Sequence, residues 1–328
     1  MAILVTGGAG YIGSHTVAAL LEQGREVVVI DNLQTGHRGA LLGGKLYEGD
    51  LRDKALLAKL FAENEIEAVI HFAANSLVGE SMKDPVKYFD NNVYGTLCLL
   101  DAMDQANVRK IVFSSTAATY GEPEKVPIEE TDPTRPTNVY GETKLTMERM
   151  MAWFDQVLGI KYVSLRYFNA AGAHESGKIG EDHRPESHLI PLIIQAALGQ
   201  RPSIQVFGDD YNTADGTCVR DYIHVGDLAD AHLRAVDHLL GGGESDVFNL
   251  GNGQGFSVKE VIETVKDVTG RDFPVVISPR RAGDPAVLIA SSDKARRVLG
   301  WNPTRNQLAN IIESAWQWHN SHPNGYND

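Results

Sequence analysis

Residues 2–31 constrain this chain more than any other stretch. Ala2-Ile3-Leu4-Val5 is an apolar run without polar alternation, the pattern of a strand covered on both faces of a parallel sheet. Thr6-Gly7-Gly8-Ala9-Gly10-Tyr11-Ile12-Gly13 follows and opens a helical pattern reaching Gln23, with Gly24 as a natural stop. Glu26-Val27-Val28-Val29-Ile30 is a second strand and runs into Asp31, 18 residues after the last glycine of the turn. A lone glycine pattern is weak. Set between two strands, with the acid in place, it is the unit that grips a dinucleotide. The glycines let the backbone approach a pyrophosphate, which rests on the positive end of the helix. Asp31 can accept hydrogen bonds from both hydroxyls of an adenosine ribose, and its charge would repel a 2′-phosphate. The expected cofactor is therefore NAD rather than NADP.

The alternation continues. Residues 45–49 read as a strand ending at Asp50-Leu51, and 52–64 as a helix. Residues 67–72 form a strand running into Ala73-Ala74-Asn75, and 85–105 one long helix carrying Asn91 and Asn92. Residues 109–113 are a strand ending at Ser114-Ser115-Thr116, 139–158 a helix, and 161–166 a strand ending at Tyr167-Phe168-Asn169. Strands alternating with helices imply an α/β fold with a doubly wound, parallel, Rossmann-type sheet. Such sheets bind ligands at the carboxyl ends of their strands, where Gly7, Asp31, Asp50, Ala73, Thr116 and Asn169 all fall.

The pattern changes after Asn169. Residues 170–186 are rich in Gly, His, Glu and Asp and show no period, so they read as a loop. A helix at 188–198, a strand at 204–207 and a polar loop at 208–218 follow. Residues 227–240 read as a helix and 247–250 as a strand. Ser257 with Glu260 forms a capping box for a helix reaching 268. A last helix spans about 305–319, and the tail 321–328 reads as loose. The fold class is thus a Rossmann-type domain followed by a smaller C-terminal α/β domain.

Lys+Arg 30 against Asp+Glu 43 gives a net charge of −13, which argues against nucleic-acid binding through bulk charge. An anionic ligand would need local arginines. Cys98 and Cys218 stand far apart in no metal-like spacing, as in a reducing compartment. No signal-peptide pattern and no apolar run of about 18 residues is present, so no membrane association is expected and a cytoplasmic protein is. No metal site is expected. None of the 11 histidines stands in ligand spacing, and His183 and His188 read as polar loop groups.

Tyr140 and Lys144 stand four apart in the 139–158 helix, so both project from one face. Tyrosine has an ordinary pKa of about 10, and bringing it near 7 takes on the order of 4 kcal/mol in favour of the phenolate. A lysine ammonium one turn away supplies part of that, and a cationic cofactor ring more.

The glycine turn, Tyr140-x-x-x-Lys144 and Ser114-Ser115-Thr116 together resemble the extended short-chain dehydrogenase/reductase superfamily. Further stretches are similar to its UDP-glucose 4-epimerase family: Val-Ile-His-Phe-Ala at 69–73, Asp-Asn-Asn-Val at 90–93 and Leu-Arg-Tyr-Phe-Asn at 165–169. Gly-Thr-x-Val-Arg-Asp-Tyr-Ile-His at 216–224, Arg-Arg-x-Gly-Asp at 280–284 and His-Pro-x-Gly-Tyr at 322–326 complete the likeness. It runs over essentially the whole chain.

The resemblance implies reversible epimerisation of UDP-glucose and UDP-galactose at C4 through a 4-keto sugar, on tightly bound NAD. It makes Tyr140, Lys144 and Thr116 catalytic. It places NAD against Gly7, Gly10, Tyr11, Ile12, Gly13, Asp31, Asn32, Asp50, Leu51, Phe72, Ala73, Ala74, Asn91, Tyr140, Lys144 and Tyr167. It places the UDP-sugar against Thr116, Tyr140, Asn169, His188, Leu189, Gln205, Phe207, Arg220, Arg281 and Asp284. The two arginines suit the diphosphate, which a guanidinium fork fits well. Residues 1–169 would bind NAD, with room for later contributions from about 219–250, and 170–328 mainly the UDP-sugar. The family's homodimer would form through the helices at 85–105 and 139–158.

Three positions depart from the family pattern. Ser76 replaces a lysine near the cofactor, His188 replaces an asparagine, and Leu288 stands at a gate where a bulky tyrosine excludes N-acetyl sugars. The alternatives are an N-acetylhexosamine epimerase, a dehydratase or a decarboxylase on the same scaffold, and a catalytically silent NAD-binding sensor. A dehydratase would carry an acid pair after Thr116, where this chain has Ala117-Ala118, and a sensor would lack the tyrosine or the lysine.

Overall fold

The computed structural model describes residues 1–281 and 284–327. Its centre is a sheet of seven parallel strands. β1 (Ala2–Thr6), β2 (Val27–Asp31), β3 (Lys45–Glu48), β4 (Ile66–His71), β5 (Lys110–Ser114) and β6 (Lys161–Arg166) come from the first half of the chain. All five residues of β1 and of β2 are buried, which is why both runs lack polar alternation. Ile3 and Val5 pack to one face of the sheet, and Ala2 and Leu4 to the other.

α1 (Tyr11–Glu22) lies on the first face. On the second lie α2 (Lys54–Glu63) and a helical run made of the short α3 (Val78–Ser81), α4 (Pro85–Tyr88), a π-helical segment (Phe89–Tyr94) and α5 (Gly95–Gln105), followed by α6 (Val139–Leu158). The 85–105 stretch is therefore not one uniform α-helix. The π turn carries the fully buried Asn92, whose amide bonds both backbone groups of Asn75 (2.7 and 3.0 Å) and the Thr143 hydroxyl (3.1 Å). A polar side chain turned into the core in this way needs the register shift that a π turn supplies.

The second half of the chain builds the smaller lobe and returns to the sheet. β7 (Asn169–Ala171) pairs with β10 (Tyr222–His224), and β8 (Ile204–Phe207) with β13 (Val275–Ser278). β9 (Val219–Arg220) lies between β12 (Phe256–Ser257) and β14 (Val287–Leu288). α7 (Leu189–Ala197), α9 (Val258–Thr269) and α11 (Leu308–Ser321) share a separate apolar core around Ile193, Val261 and Ile311. The capping box of Ser257 and Glu260 is present. α8 (Val225–Leu240) packs against α1 on the large sheet, β11 (Asp246–Asn249) becomes the seventh strand beside β6, and α10 (Asp293–Leu299) follows on the same side.

The tail is not loose. Tyr326 is buried, its hydroxyl bridges Gly180 (3.0 Å from the N–H, 3.1 Å to the carbonyl), and its N–H donates to Asp182 (2.9 Å). An aromatic five residues past α11 found a pocket that sequence polarity does not advertise. Asp328 lies outside the described residues. Among the described residues no helix is long and apolar enough to cross a membrane.

Several histidines are buried as neutral rings. The Thr96 hydroxyl donates to Asn92 O (2.6 Å), so it accepts from His71 Nε2 (2.9 Å) and leaves His71 Nδ1 to accept from Thr6 (2.7 Å). Burial, with Lys144 nearby, holds the His71 pKa down to about 3, and burial holds His224 to about 3 and His15 and His232 to about 4. Folded pKa values below the unfolded value of about 6.5 mean that the unfolded chain takes up protons first. Their stabilisation is complete above about pH 6.5 and is lost as pH falls towards 3–4. Asp221, pushed up to about 6 by burial, offsets one proton of the four. The expected slope between pH 6 and 4 is about 4 kcal/mol per pH unit. Calorimetric melting across that window checks it, and a flat Tm would contradict it.

Candidate active site

A cleft of about 1300 Å³ opens along the carboxyl ends of the strands, between the sheet and the smaller lobe. The glycine turn forms its floor. Gly7 takes φ +68°, and a Cβ there would lie 2.6 Å from Ala73 N. A Cβ on Gly13 would lie 2.1 Å from Gly7 O. The turn is thus packed backbone on backbone, and Gly10 caps α1 without a side chain in the way. Such a cradle fits a dinucleotide pyrophosphate. Asp31 closes it: one carboxylate oxygen accepts from Ala9 N and the other from Leu33 N, both at 2.9 Å. Burial raises its pKa, and each oxygen keeps a lone pair for a ribose hydroxyl. At the adenosine end Asn32 donates to Asp50 (3.2 Å), and the Arg52 side chain holds the Asp50 pKa down to about 2.

Tyr140 sits in the first turn of α6, whose N-cap Asn138 accepts from Gly141 N (2.9 Å). Gly141 decides how close α6 comes: a Cβ there would meet Ala118 O at 2.6 Å. The helix therefore rests directly on the turn after Thr116, and the Thr116 side chain hydrogen-bonds Tyr140. The Thr116 oxygen also accepts from Ala118 N (3.1 Å), which fixes its rotamer. Lys144 is buried one turn along, 5.9 Å from the Tyr140 ring centroid, and donates to Ser114 O (2.7 Å). Ser114 Oγ in turn meets the Tyr167 hydroxyl at 2.6 Å.

The electrostatics depart from the sequence expectation. Burial pushes the Tyr140 pKa up to about 12 against the Thr116 hydrogen bond, and burial pulls Lys144 down to about 7 against the pull of Glu148. Lys144 alone does not make Tyr140 a phenolate, because both groups lose their water together and the ammonium is spent on Ser114 O.

The cleft collects every residue expected to hold NAD, together with Thr116, Asn169, His188, Arg220, Arg281 and Asp284; Ser76 and Leu288 line it as well. It does not collect Leu189, Gln205 or Phe207. Leu189 starts α7 against the core of the smaller lobe, Gln205 faces solvent, and Phe207 stacks under the Arg281 guanidinium at 3.9 Å. Arg220 donates to Val219 O and Pro285 O (2.9 Å each) and pairs with Asp284 at 3.5 Å. Its neighbour Asp221 is fully buried and serves the backbone of Asn252 and Ala290 instead. Asn169 donates to Asp221 O (3.0 Å). Ala282 and Gly283 of the charged motif lie outside the described residues.

Sequence reading missed two groups. Asn138 and Ser81 position the start of α6 by accepting from the N–H groups of Gly141 and Tyr140, for which no motif exists, and Ser114, noted in the sequence only as part of a motif, holds Lys144 through its backbone carbonyl. The reading of histidines without a cluster is also corrected. Glu181, His183, Glu186 and His188 bring one side-chain donor atom each within 4.8 Å of one another. The alternation Glu-x-His-x-x-Glu-x-His was the available signal. Burial opposes protonation of both rings, yet the facing carboxylates of Glu181 and Glu186 raise His183 to about 9 and His188 to about 10.

Comparison with known proteins agrees with this geometry. Residues 3–251 match the model of the NAD dependent epimerase/dehydratase family. A Halalkalibacterium halodurans protein named UDP-glucose 4-epimerase is 62% identical over 326 residues, covering 99% of this chain and 98% of that one. A crystal structure of UDP-glucose 4-epimerase superposes with a TM-score of 0.99 at 58% identity, covering 100% of both chains. That of the Bifidobacterium longum enzyme in complex with NAD+ and UDP gives 0.93 at 43%, covering 99% of this chain and 100% of that one. The chain therefore belongs to the NAD dependent epimerase/dehydratase family.

Proposed function

We propose that this chain is an NAD-dependent isomerase that interconverts UDP-glucose and UDP-galactose at C4 through a transient 4-keto sugar. The observation that carries the reading is the Tyr140 hydroxyl, held by Thr116 beside buried Lys144, in one cleft with the glycine turn and Arg220. Bound NAD supplies a reversible two-electron acceptor and a positive ring. Tyr140 takes the proton of the sugar 4-hydroxyl and later returns it. Thr116 holds the oxygen in line. Lys144 anchors the nicotinamide ribose and adds positive charge. Arg220 and Arg281 grip the diphosphate, about which the sugar turns to present its other face.

The cofactor ends as it began, so purified protein should convert UDP-galactose to UDP-glucose with nothing added; no conversion with NAD bound would leave the silent sensor. Loss of the 6-oxygen or of carbon dioxide would mean a dehydratase or a decarboxylase. Leu288 at the cleft wall is intermediate in bulk, so N-acetylhexosamine substrates should turn over weakly or not at all. A kcat/KM for UDP-N-acetylglucosamine comparable with that for UDP-glucose would contradict this. Ser76, exposed at the rim, offers a hydroxyl where a lysine would offer charge.

We read residues 1–169 with about 219–250 as the NAD lobe, and the remainder of 170–328 mainly as the UDP-sugar lobe. We also infer a homodimer. Val86, Phe89, Tyr94 and Leu97 on the 85–105 helical run, and Trp153 and Val157 on α6, are all more than 40% exposed. Large apolar groups at that exposure on two neighbouring helices suit burial against a second copy. Light scattering should give twice the chain mass, and a monomer at micromolar concentration would refute it. Two free, buried cysteines fit a cytoplasmic enzyme.

A further inference from the structure

The Glu181–His188 segment joins β7 to α7 and forms one wall of the cleft, opposite Tyr11. Its two imidazoles and two carboxylates converge on one point. His188 Nδ1 lies 3.0 Å from Glu181 Oε1 and 2.8 Å from Glu186 Oε1. His183 Nδ1 lies 3.2 Å from Glu181 Oε1 and 3.7 Å from Glu186 Oε2. These four approaches span 2.8–3.7 Å and use both oxygens of Glu186, and one donor atom from each residue lies within 4.8 Å of the others; ligands about 2.1 Å from a tetrahedral zinc-class ion stand about 3.4 Å apart.

Hydrogen bonding among the four groups does not account for the arrangement. Each Nδ1 carries at most one hydrogen, which leaves two hydrogens for four nitrogen–oxygen approaches. His183 Nδ1 is buried and has no hydrogen-bond partner, although two carboxylates face it. The Glu186 carboxylate is also fixed from behind: its Oε1 accepts from the N–H groups of Ser187 (2.7 Å) and His188 (2.8 Å). The backbone at Glu181 is held as well, since its carbonyl accepts from Trp318 Nε1 (3.2 Å). Outer bonds of this kind hold ligands in orientation.

We propose that Glu181, His183, Glu186 and His188 bind a divalent transition-metal ion of the zinc class. Two nitrogens and two carboxylate oxygens neutralise a +2 ion and fill a tetrahedral shell, so the site is closed and structural rather than catalytic. The C4 reaction requires no metal, so the site goes beyond that reading. It has a consequence for it, however. A metal on Nδ1 leaves the His188 hydrogen on Nε2. His188 then becomes a fixed donor at the cleft wall, where the family pattern has an asparagine amide. The ion also staples the cleft wall to the start of α7.

The test uses the tag-free full chain with NAD bound, stripped with a chelator and titrated with Co2+. The expected result is one equivalent of Co2+ showing the intense visible bands of a tetrahedral ion, bleached when Zn2+ is added. Loss of an outer-shell partner typically costs about 10- to 100-fold in affinity, so loss of a ligand should cost at least about 100-fold. A Glu181→Gln/His183→Ala double variant that still retains NAD should show that loss. If it does not fold, Glu186→Gln and His188→Asn singly take its place with the same expectation. No tetrahedral bands from the parent chain, or unchanged bands in folded variants, overturns the proposal. The titration involves no sugar substrate, so its outcome does not depend on whether the chain epimerises UDP-sugars.

Discussion

Replacing Tyr140 with phenylalanine is expected to leave NAD bound and to cut UDP-galactose turnover by about 10²- to 10⁴-fold, the usual contribution of a positioned acid–base group. The change removes one oxygen. The ring keeps its place in α6, the Asn138 cap is untouched, and Thr116 still accepts from Ala118 N. Lys144 stays on Ser114 O. What disappears is the hydroxyl that the proposed mechanism uses to move the 4-hydroxyl proton. Burial drives the Tyr140 pKa to about 12 in the chain alone, so the parent reaction depends on positive charge from the bound cofactor to reach the phenolate. Single-turnover sugar analysis, beside the NAD content of the same preparation, separates chemistry from binding. Near-parental turnover would mean that another group carries the proton.

Gly13→Ala should strike the other half of the site. Its added Cβ would stand 2.1 Å from Gly7 O, 2.9 Å from Gly8 Cα and 3.0 Å from Gly7 C. All three are backbone atoms, so no flexible side chain can yield, and either α1 or the glycine turn must move. Overpacking of this sort costs about 1–3 kcal/mol, which corresponds to a loss of roughly 5- to 150-fold in NAD affinity if the strain falls on the turn. Gly10→Ala makes the useful contrast. Its Cβ would meet Gly7 O at an ordinary 3.4 Å, so any affinity lost there reports the ligand side of the cradle. Fluorescence titration of NAD into both stripped variants, with melting curves as a folding control, distinguishes the two. Unchanged affinity in Gly13→Ala would show that the turn does not hold the pyrophosphate.

Much of the site was legible because parallel-sheet topology gathers strand ends. Once β1, β2, β4, β5 and β6 were identified, Gly7, Asp31, Ala73, Thr116 and Asn169 had to meet along one edge. What stayed hidden depended on partners distant in sequence. The π turn exists because Asn92 meets Asn75 and Thr143. The Glu–His cluster lay in a stretch with no period, where pattern carries no information about convergence. Leu189, Gln205 and Phe207 were carried over from a family pattern; Leu189 packs on the core of the smaller lobe, Gln205 is exposed, and Phe207 lies under Arg281, which does line the cleft. The ionisation of Tyr140 and Lys144 followed from burial, which spacing along a helix does not report.

The seventh strand has a consequence for synthesis. β11 is the partner of β6, but it is encoded at 246–249 while β6 ends at 166. At about 5–20 residues per second, the closing strand leaves the ribosome roughly 4–16 s after its neighbour. Throughout that interval the nascent sheet presents β6 as an open edge, with Val163 and Leu165 uncovered by α8. The nucleotide domain thus completes itself late, through a long-range pairing of the kind that slows folding. The cradle at residues 7–13 is synthesised long before that pairing can form.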